Sequence, residues 1–460
     1  MGAKAAMTHE TLEATLRALL GERLSTSAAV REQHGHDESF HETAPPDMVA
    51  FAHSTAEVAQ IVKACAAHKT PVIAFGTGTA LEGHVNAVHG GVCIDLSQMN
   101  AVLEVRPEDM DVDVQAGVTR KQLEHELRAT GLHFPVDPGA DASLGGMAAT
   151  GASGTTTLRY GAMRENVLAA TVVLADGSIV RLGGRARKSS AGYDLLHLII
   201  GSEGTLGIIT ELTLRLYGRP EVEASGVCAF DTIENMVDAV TLAIQSEIPL
   251  ARMELMDALA IYAVNHYAGL DNEVAPTLFL EFHGTQASVA DDQRRFAEIA
   301  GELGGKGFRA ATSAEERKTL WRARHEALYA AKALNPGKKR LITDVCVPIS
   351  KLAQSIAATR ADFDEHGILA AIVGHVGDGN YHTTLWVEPG DEAALKAAEA
   401  AVQRMVERAI AVGGTCTGEH GIGIGKRGFL EREHASAMTM MCTIKKALDP
   451  DNIMNPGKVV

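Results

Sequence analysis

The stretch Pro71-Val-Ile-Ala-Phe-Gly-Thr-Gly-Thr-Ala-Leu-Glu-Gly83 decides the fold. It opens as a short apolar strand and closes as a glycine-rich loop, which invites a dinucleotide-binding βαβ reading. The residues that follow exclude it. Such a unit needs a full crossover helix after the glycines. Between Gly78 and the next apolar strand, Val92 to Leu96, the chain runs through His84-Val-Asn-Ala-Val-His89-Gly-Gly, which is short and poor in helix formers. The Walker phosphate-loop pattern is absent too. Glycine loops can still bind phosphate without a helix, because successive backbone N–H groups form anion-binding nests. Thr77, Thr79, Ser143 and Thr150 supply hydroxyl groups nearby.

Around this loop the chain reads as a ligand-cradling domain. Ser54 followed by Glu57 is a capping-box signature, and Val58, Ile61, Val62 and Cys65 fall on one helical face. A second glycine-rich stretch begins at Asp137-Pro-Gly139 and continues through Gly145-Gly146, Gly151, Gly154 and Gly161. Asp176-Gly177 between Val167–Leu174 and Ser178–Leu182 is a hairpin signal. A third loop, Gly201-Ser-Glu-Gly204-Thr-Leu-Gly207, precedes the alternating strand Ile208 to Leu216. Residues 8–35 read as one or two amphipathic helices. Beyond about residue 221, strands (Gly226–Phe230, Thr277–Phe282) alternate with amphipathic helices (Thr232–Ser246, Ala287–Leu303, about 391–412), as expected of a second, α+β domain.

Bulk properties narrow the function. At 460 residues the chain outgrows a single core. A formal net charge of −16 argues against nucleic-acid binding. The six cysteines lie far apart without CxxC spacing, which fits reduced thiols. No apolar run reaches the length of a membrane span, and no secretory signal is recognisable. A cytoplasmic protein without an integral membrane segment is expected, with peripheral docking at the inner membrane left open.

The chemistry-bearing feature is His375-Val-Gly-Asp-Gly-Asn-Tyr-His382. Leu369–Val376 and Tyr381–Val387 read as strands flanking a tight turn, with His375 set opposite His382. Facing side chains on a hairpin sit roughly 5 Å apart at Cβ, close enough for both imidazoles to ligate one ion. Gly418-Glu419-His420-Gly421 could complete the set. Two histidines and one carboxylate leave a coordination position open, as catalytic metals require.

Taken together, PVIAFGTGTALEG, DPGADASLGGMAATGASGTTTLRYGAMRENV, SAGYDLLHLIIGSEGTLGIIT and the closing NPGKVV resemble the flavoproteins with a p-cresol methylhydroxylase/vanillyl-alcohol oxidase-type (PCMH/VAO) FAD-binding domain. WRARHEA, TDVCVP, GHVGDGNYH and GTCTGEHGIG resemble the C-terminal domain of FAD-linked D-2-hydroxy-acid dehydrogenases. Within that group the chain is most similar to the cytochrome-type D-lactate dehydrogenases. The resemblance implies an α+β fold: a two-subdomain FAD-binding domain and an α+β substrate (cap) domain built on an antiparallel sheet. The implied boundaries are an N-terminal helical segment at 1–40, the FAD domain at 41–220, and the cap at 221–460, whose last 30 or so residues return to the FAD domain.

By resemblance, Phe75, Gly76, Thr77, Gly78, Thr79, Leu81, Glu82 and Gly83 cradle the FAD pyrophosphate. Pro138, Gly139, Ser143, Gly145, Gly146, Thr150, Ala152, Ser153 and Gly154 wrap the cofactor, while Gly204, Thr205, Gly207, Ile208, Ile209 and Asn455 lie along it. Gly151 stands where the family often has Asn, at the expense of one side-chain hydrogen bond. Gly-Thr-Gly-Thr carries no histidine for covalent attachment, so the flavin is expected to be non-covalent. His375, His382 and Glu419 are implied ligands of Zn or Mn, His420 the base, Arg324 the carboxylate-holding cation, and Asn380 either a substrate contact or a brace of the hairpin. Consecutive extended residues point to opposite sides, so Glu419 and His420 can serve different partners.

The implied activity is oxidation of a D-2-hydroxy acid, D-lactate first, to the 2-oxo acid by hydride transfer to flavin. Electrons would pass on to a cytochrome, a quinone or an electron-transfer flavoprotein. D-2-hydroxyglutarate or glycolate oxidation is the alternative within the class, and a non-catalytic flavin subunit of a larger oxidase the alternative outside it. A homodimer is left open.

Overall fold

The computed structural model describes residues 2–311 and 313–460. The chain divides into two compact units. One comprises the residues through Ser153, Ala162–Arg219 and Glu419–Val460; the other comprises Gly154–Gly161 and Pro220–Gly418.

The first unit holds strands β1 (Leu24–Ser25), β2 (Met48–Phe51), β3 (Val72–Phe75), β4 (Val92–Asp95), β5 (Val102–Arg106), β6 (Asp111–Gln115), β7 (Leu132–His133), β8 (Val167–Val173), β9 (Ile179–Gly183), β10 (Ile208–Arg215) and β11 (Tyr217–Gly218). One sheet runs β1-β2-β4-β3, and a second runs β5-β6-β10-β8-β9. In the first, β4 lies parallel to both β2 and β3. The connection from β3 to β4 contains no helix, so the sequence argument against a dinucleotide βαβ unit holds.

The helix Thr55–Ala67 begins at Ser54, whose hydroxyl accepts the Glu57 amide at 3.2 Å. Its predicted face, Val58, Ile61, Val62 and Cys65, is fully buried. The N-terminal helix Gly2–Leu20 sets Leu12, Leu16 and Leu20 into the same core. Burying a side chain of that size contributes about 1.5–3 kcal/mol, which fixes the helix to the first sheet.

His34 links this layer to β4. Its Nε2 lies 2.9 Å from Asp95 Oδ2 and its Nδ1 lies 2.8 Å from the Val30 carbonyl oxygen. With an acceptor at each ring nitrogen the imidazolium is favoured. Burial alone would lower the pKa, but Asp95 and the carbonyl raise it above the ordinary value. A raised folded-state pKa stabilises the protein fully below the unfolded value, roughly pH 6.5, and the contribution fades as pH climbs through the folded one. The loss in melting temperature caused by His34→Gln should therefore shrink as pH rises from 6 to 9. A loss that grows with pH would contradict this assignment.

The second unit is one antiparallel sheet with helices. Its strands are β12 (Val222–Ala229), β13 (Leu250–Met256), β14 (Thr277–Gly284), β15 (Arg309–Ala310), β16 (Lys339–Cys346), β17 (Ala370–His375) and β18 (Asn380–Val387), in the order β15-β12-β14-β13-β17-β18-β16. The predicted helices form at Ile233–Gln245, Gln286–Glu302 and Glu392–Ala411. The whole is α+β, as the sequence implied. Among the described residues no helix is long and apolar enough to cross a membrane.

Candidate active site

The histidine hairpin forms with a register different from the one the sequence suggested. His375 pairs with Asn380, and His382 pairs with Val373. The two histidines are thus diagonal, not opposite. The cause is the turn, in which Val376–Asp378 coil into one 3-10 turn and Gly379 closes it at φ 79°. The connection consumes one more residue on the His375 side than a symmetric hairpin allows. Diagonal neighbours still share a face, and the imidazole centroids lie 5.1 Å apart at 83°. Each histidine offers a ring nitrogen within 4.8 Å of the other's.

Gly379 is the residue that permits this turn. A Cβ there would stand 2.1 Å from the Val347 carbonyl oxygen, in a left-handed conformation. Gly379→Ala should cost about 2 kcal/mol or more, seen as a lower denaturation midpoint. An unchanged midpoint would mean that the turn relaxes freely.

The sheet surrounds the pair with carboxylates that sequence reading missed. Glu254 on β13 pairs with His375 and is fully buried. Its Oε1 accepts from His375 Nδ1 at 2.7 Å, and its Oε2 accepts from Arg324 Nε at 2.7 Å. Burial would push the Glu254 carboxyl up, but His375 and Arg324 hold it below the usual range. Its signal was a lone acidic residue in the apolar strand Leu-Ala-Arg-Met-Glu-Leu-Met. With Nδ1 engaged, His375 presents Nε2. That is the carboxylate–histidine pairing that orients metal ligands.

Asp344 on β16 sits opposite His382. Its carboxylate accepts from the Gly418 amide at 2.6 Å, Thr417 Oγ1 at 3.1 Å and Asn380 Nδ2 at 3.3 Å. A Cβ on Gly418 would stand 2.0 Å from Asn380 Nδ2, so only glycine passes here. Asp344 therefore pins the peptide immediately before Glu419. Asn380 Nδ2 also donates to the Val345 carbonyl at 3.0 Å. Of its two expected roles, the brace is the one its amide nitrogen performs. Arg324, foreseen as a substrate cation, has its Nε committed to Glu254.

In the first unit the three glycine stretches meet. Cβ atoms placed on Gly76 and Gly146 would stand 2.1 Å and 2.9 Å from Ser143 Oγ. Gly201 donates to the Ala148 carbonyl at 3.0 Å and Glu203 to that of Ala149 at 2.8 Å. Gly139 and Gly201 have open space where a side chain would be, so their backbone can face a ligand. Phe75, Thr77, Gly78, Leu81, Gly83, Pro138, Gly145, Ala152, Ser153, Gly204, Thr205, Gly207, Ile208 and Ile209 belong to the same unit, whereas Gly154 falls in the other.

Several polar side chains expected at the cofactor are occupied within the protein. Thr77 and Thr79 hydroxyls lie 3.2 Å apart. Thr150 donates to the Gly146 carbonyl at 3.1 Å. Glu82 is buried 3.4 Å from Lys426. Asn455 donates both amide hydrogens, to the carbonyls of His84 at 3.1 Å and Glu203 at 2.8 Å. These side chains hold the loops in shape. Ser153 Oγ donates to Glu419 Oε2 at 2.5 Å, and His420 follows, half-buried.

Family models agree with this architecture. One described as an FAD binding domain matches residues 46–183, and one described as the C-terminal domain of FAD linked oxidases matches residues 219–459. An FAD-dependent oxidoreductase is the class that the fold and these matches define. The chain belongs to the FAD-linked oxidase family. It is 51% identical over 456 residues to the probable mitochondrial D-lactate dehydrogenase of Danio rerio, with 98% of this chain and 92% of that one covered. It is 44% identical over 448 residues to the mitochondrial D-lactate dehydrogenase [cytochrome] of Arabidopsis thaliana, covering 97% and 79%. The fold is that of p-cresol methylhydroxylase, with a TM-score of 0.78 at 18% identity over 98% of this chain and 96% of that one.

Proposed function

We propose that this protein oxidises D-lactate to the 2-oxo acid, with His420 as the base that takes the hydroxyl proton and His375, His382 and Glu419 as ligands of a divalent metal, Zn or Mn. The observation that carries the reading is the buried Glu254–His375 pair beside His382. Two imidazoles on one face, one oriented by a carboxylate, form a donor set suited to a borderline metal. Similarity to D-lactate dehydrogenases supports the substrate.

The roles of the protein groups follow from their chemistry. Glu254 keeps His375 in the tautomer that presents Nε2, and Arg324 keeps Glu254 ionised. The Asp344 clamp on Gly418 and the Ser153 hydroxyl on Glu419 restrict where Glu419 and His420 can point. His420 accepts the proton as a general base. His375, His382 and Glu419 would hold the divalent ion, which would supply Lewis acidity toward the substrate hydroxyl. FAD, when bound, would supply the acceptor for the α-hydrogen and its electron pair. Backbone N–H groups of the glycine loops hold the cofactor non-covalently. The acceptor is a cytochrome, in line with the names of the relatives. The relatives' names carry a mitochondrial location, and subcellular fractionation should decide between it and the cytoplasmic expectation.

Purified protein should be yellow, release free FAD on denaturation, and bleach on anaerobic addition of D-lactate. A protein that cannot be reconstituted with FAD would overturn the proposal. Glu254→Gln should weaken metal affinity by about 10–100-fold, measured by titration of the apo-protein with Zn or Mn. Unchanged affinity would remove Glu254 from the metal's support.

A further inference from the structure

The loop that carries His420 is held by a residue of the third glycine stretch. Glu203 is buried, and its Oε1 accepts the Ile422 amide at 2.7 Å while its Oε2 accepts the Gly423 amide at 2.8 Å. These amides lie two and three residues beyond His420. His84 Nε2 stands 3.2 Å from Glu203 Oε2, and Asp37 Oδ2 lies 3.9 Å from His84 Nδ1. Burial alone would push the Glu203 carboxyl up, but His84 and the two amides hold it low.

The fit around this contact leaves the loop little alternative. Cβ atoms on Gly421 would stand 2.7 Å from both Glu203 Oε1 and His84 Nε2, and one on Gly423 would stand 2.0 Å from the Glu82 carbonyl oxygen. The Ile424 amide donates to that same carbonyl at 2.9 Å. Glu203 itself sits at φ 55°. For a non-glycine residue a sparsely populated conformation of this kind costs on the order of 1–3 kcal/mol and persists where surroundings over-determine it. Here the surroundings are the Ala149 carbonyl on its amide and the Asn455 amide on its carbonyl. A strained residue whose carboxylate spans two amides of the base-bearing loop is better explained by that loop than by its own turn.

We infer that Glu203, backed by His84, is a positioning residue for His420 and ties the order of the base-bearing loop to the third glycine stretch. The inference rests on the reading of His420 as the base. A carboxylate bridging two successive amides fixes two peptide planes at once, and the imidazole compensates its buried charge. A displacement of about 1 Å at a reacting group can lower a rate 10²-fold, so loss of this bridge should be felt in chemistry without loss of cofactor.

The test uses the FAD-loaded enzyme. In the wild type, hydrogen exchange should find the Ile422 and Gly423 amides among the slowest in the segment 418–426. Glu203→Gln keeps the size but gives up one of the two acceptors. It should retain FAD and speed exchange at these amides. Its rate constant for anaerobic flavin reduction by D-lactate should fall about 10–100-fold, with a smaller change in the substrate concentration for half-saturation. Fast exchange of both amides in the wild type, or a Glu203→Gln enzyme that reduces its flavin at the wild-type rate, would overturn the inference. His420→Ala, run in parallel, separates the two claims: if it reduces flavin normally, the base assignment fails, while exchange still reports whether Glu203 holds the loop.

Discussion

His420→Ala is expected to leave the protein yellow and its melting temperature nearly unchanged, while the rate constant for flavin reduction by D-lactate falls about 10²–10⁴-fold. His420 is half-buried in a loop fixed on both sides, by Asp344 at Gly418 and by Glu203 at Ile422 and Gly423. Its removal therefore leaves the backbone in place and takes away one proton acceptor. The phenotype should also ease at high pH, where the substrate hydroxyl needs less help. Stopped-flow reduction under anaerobic conditions checks this, with FAD content as the control. Wild-type rates at pH 7 would dismiss His420 as the base.

The second large effect is expected at His382. It lies mid-sheet, between Val373 on β17 and Asp344 on β16, and is 7% exposed. His382→Ala should abolish stoichiometric divalent metal while retaining FAD, since the glycine loops belong to the other unit. D-lactate should no longer reduce the flavin, and added Zn or Mn should not restore it. Metal analysis together with flavin reduction checks both halves. A variant that still binds one metal per chain would exclude His382 as a ligand. Full activity in stripped wild-type protein would remove the metal from the reaction.

Much of this organisation could be read in the residues. The capped helix Thr55–Ala67 and its buried face follow from a 3.6-residue period and a serine cap, both local signals. The absence of a crossover helix after Gly78 was legible because it is a matter of length and composition. The histidine pair was found, but its register was not. A turn that spends Val376–Asp378 in a 3-10 coil moves the turn centre by one residue and the pairing by two, and nothing in the sequence distinguishes it from a tighter turn. Glu254 and Asp344 were missed because they lie about 120 and 40 residues from the partners they serve, and only strand order brings them to one face. Glu203 was read as part of a glycine loop. Its bond to amides more than 200 residues later depends on tertiary closure alone. The intraprotein bonds of Glu82, Thr150 and Asn455 were not legible either, because the partners that hold a glycine loop in shape are set by tertiary closure.

The most direct test of the central claim is a single-turnover comparison of D-lactate, L-lactate and D-lactate deuterated at C2, mixed anaerobically with the purified enzyme. The account predicts rapid bleaching by D-lactate, little or none by L-lactate, and a slower rate with the deuterated compound, because the C2–H bond breaks as the flavin is reduced. Equal bleaching by the two enantiomers, or no bleaching by either in protein that holds FAD and metal, would contradict it.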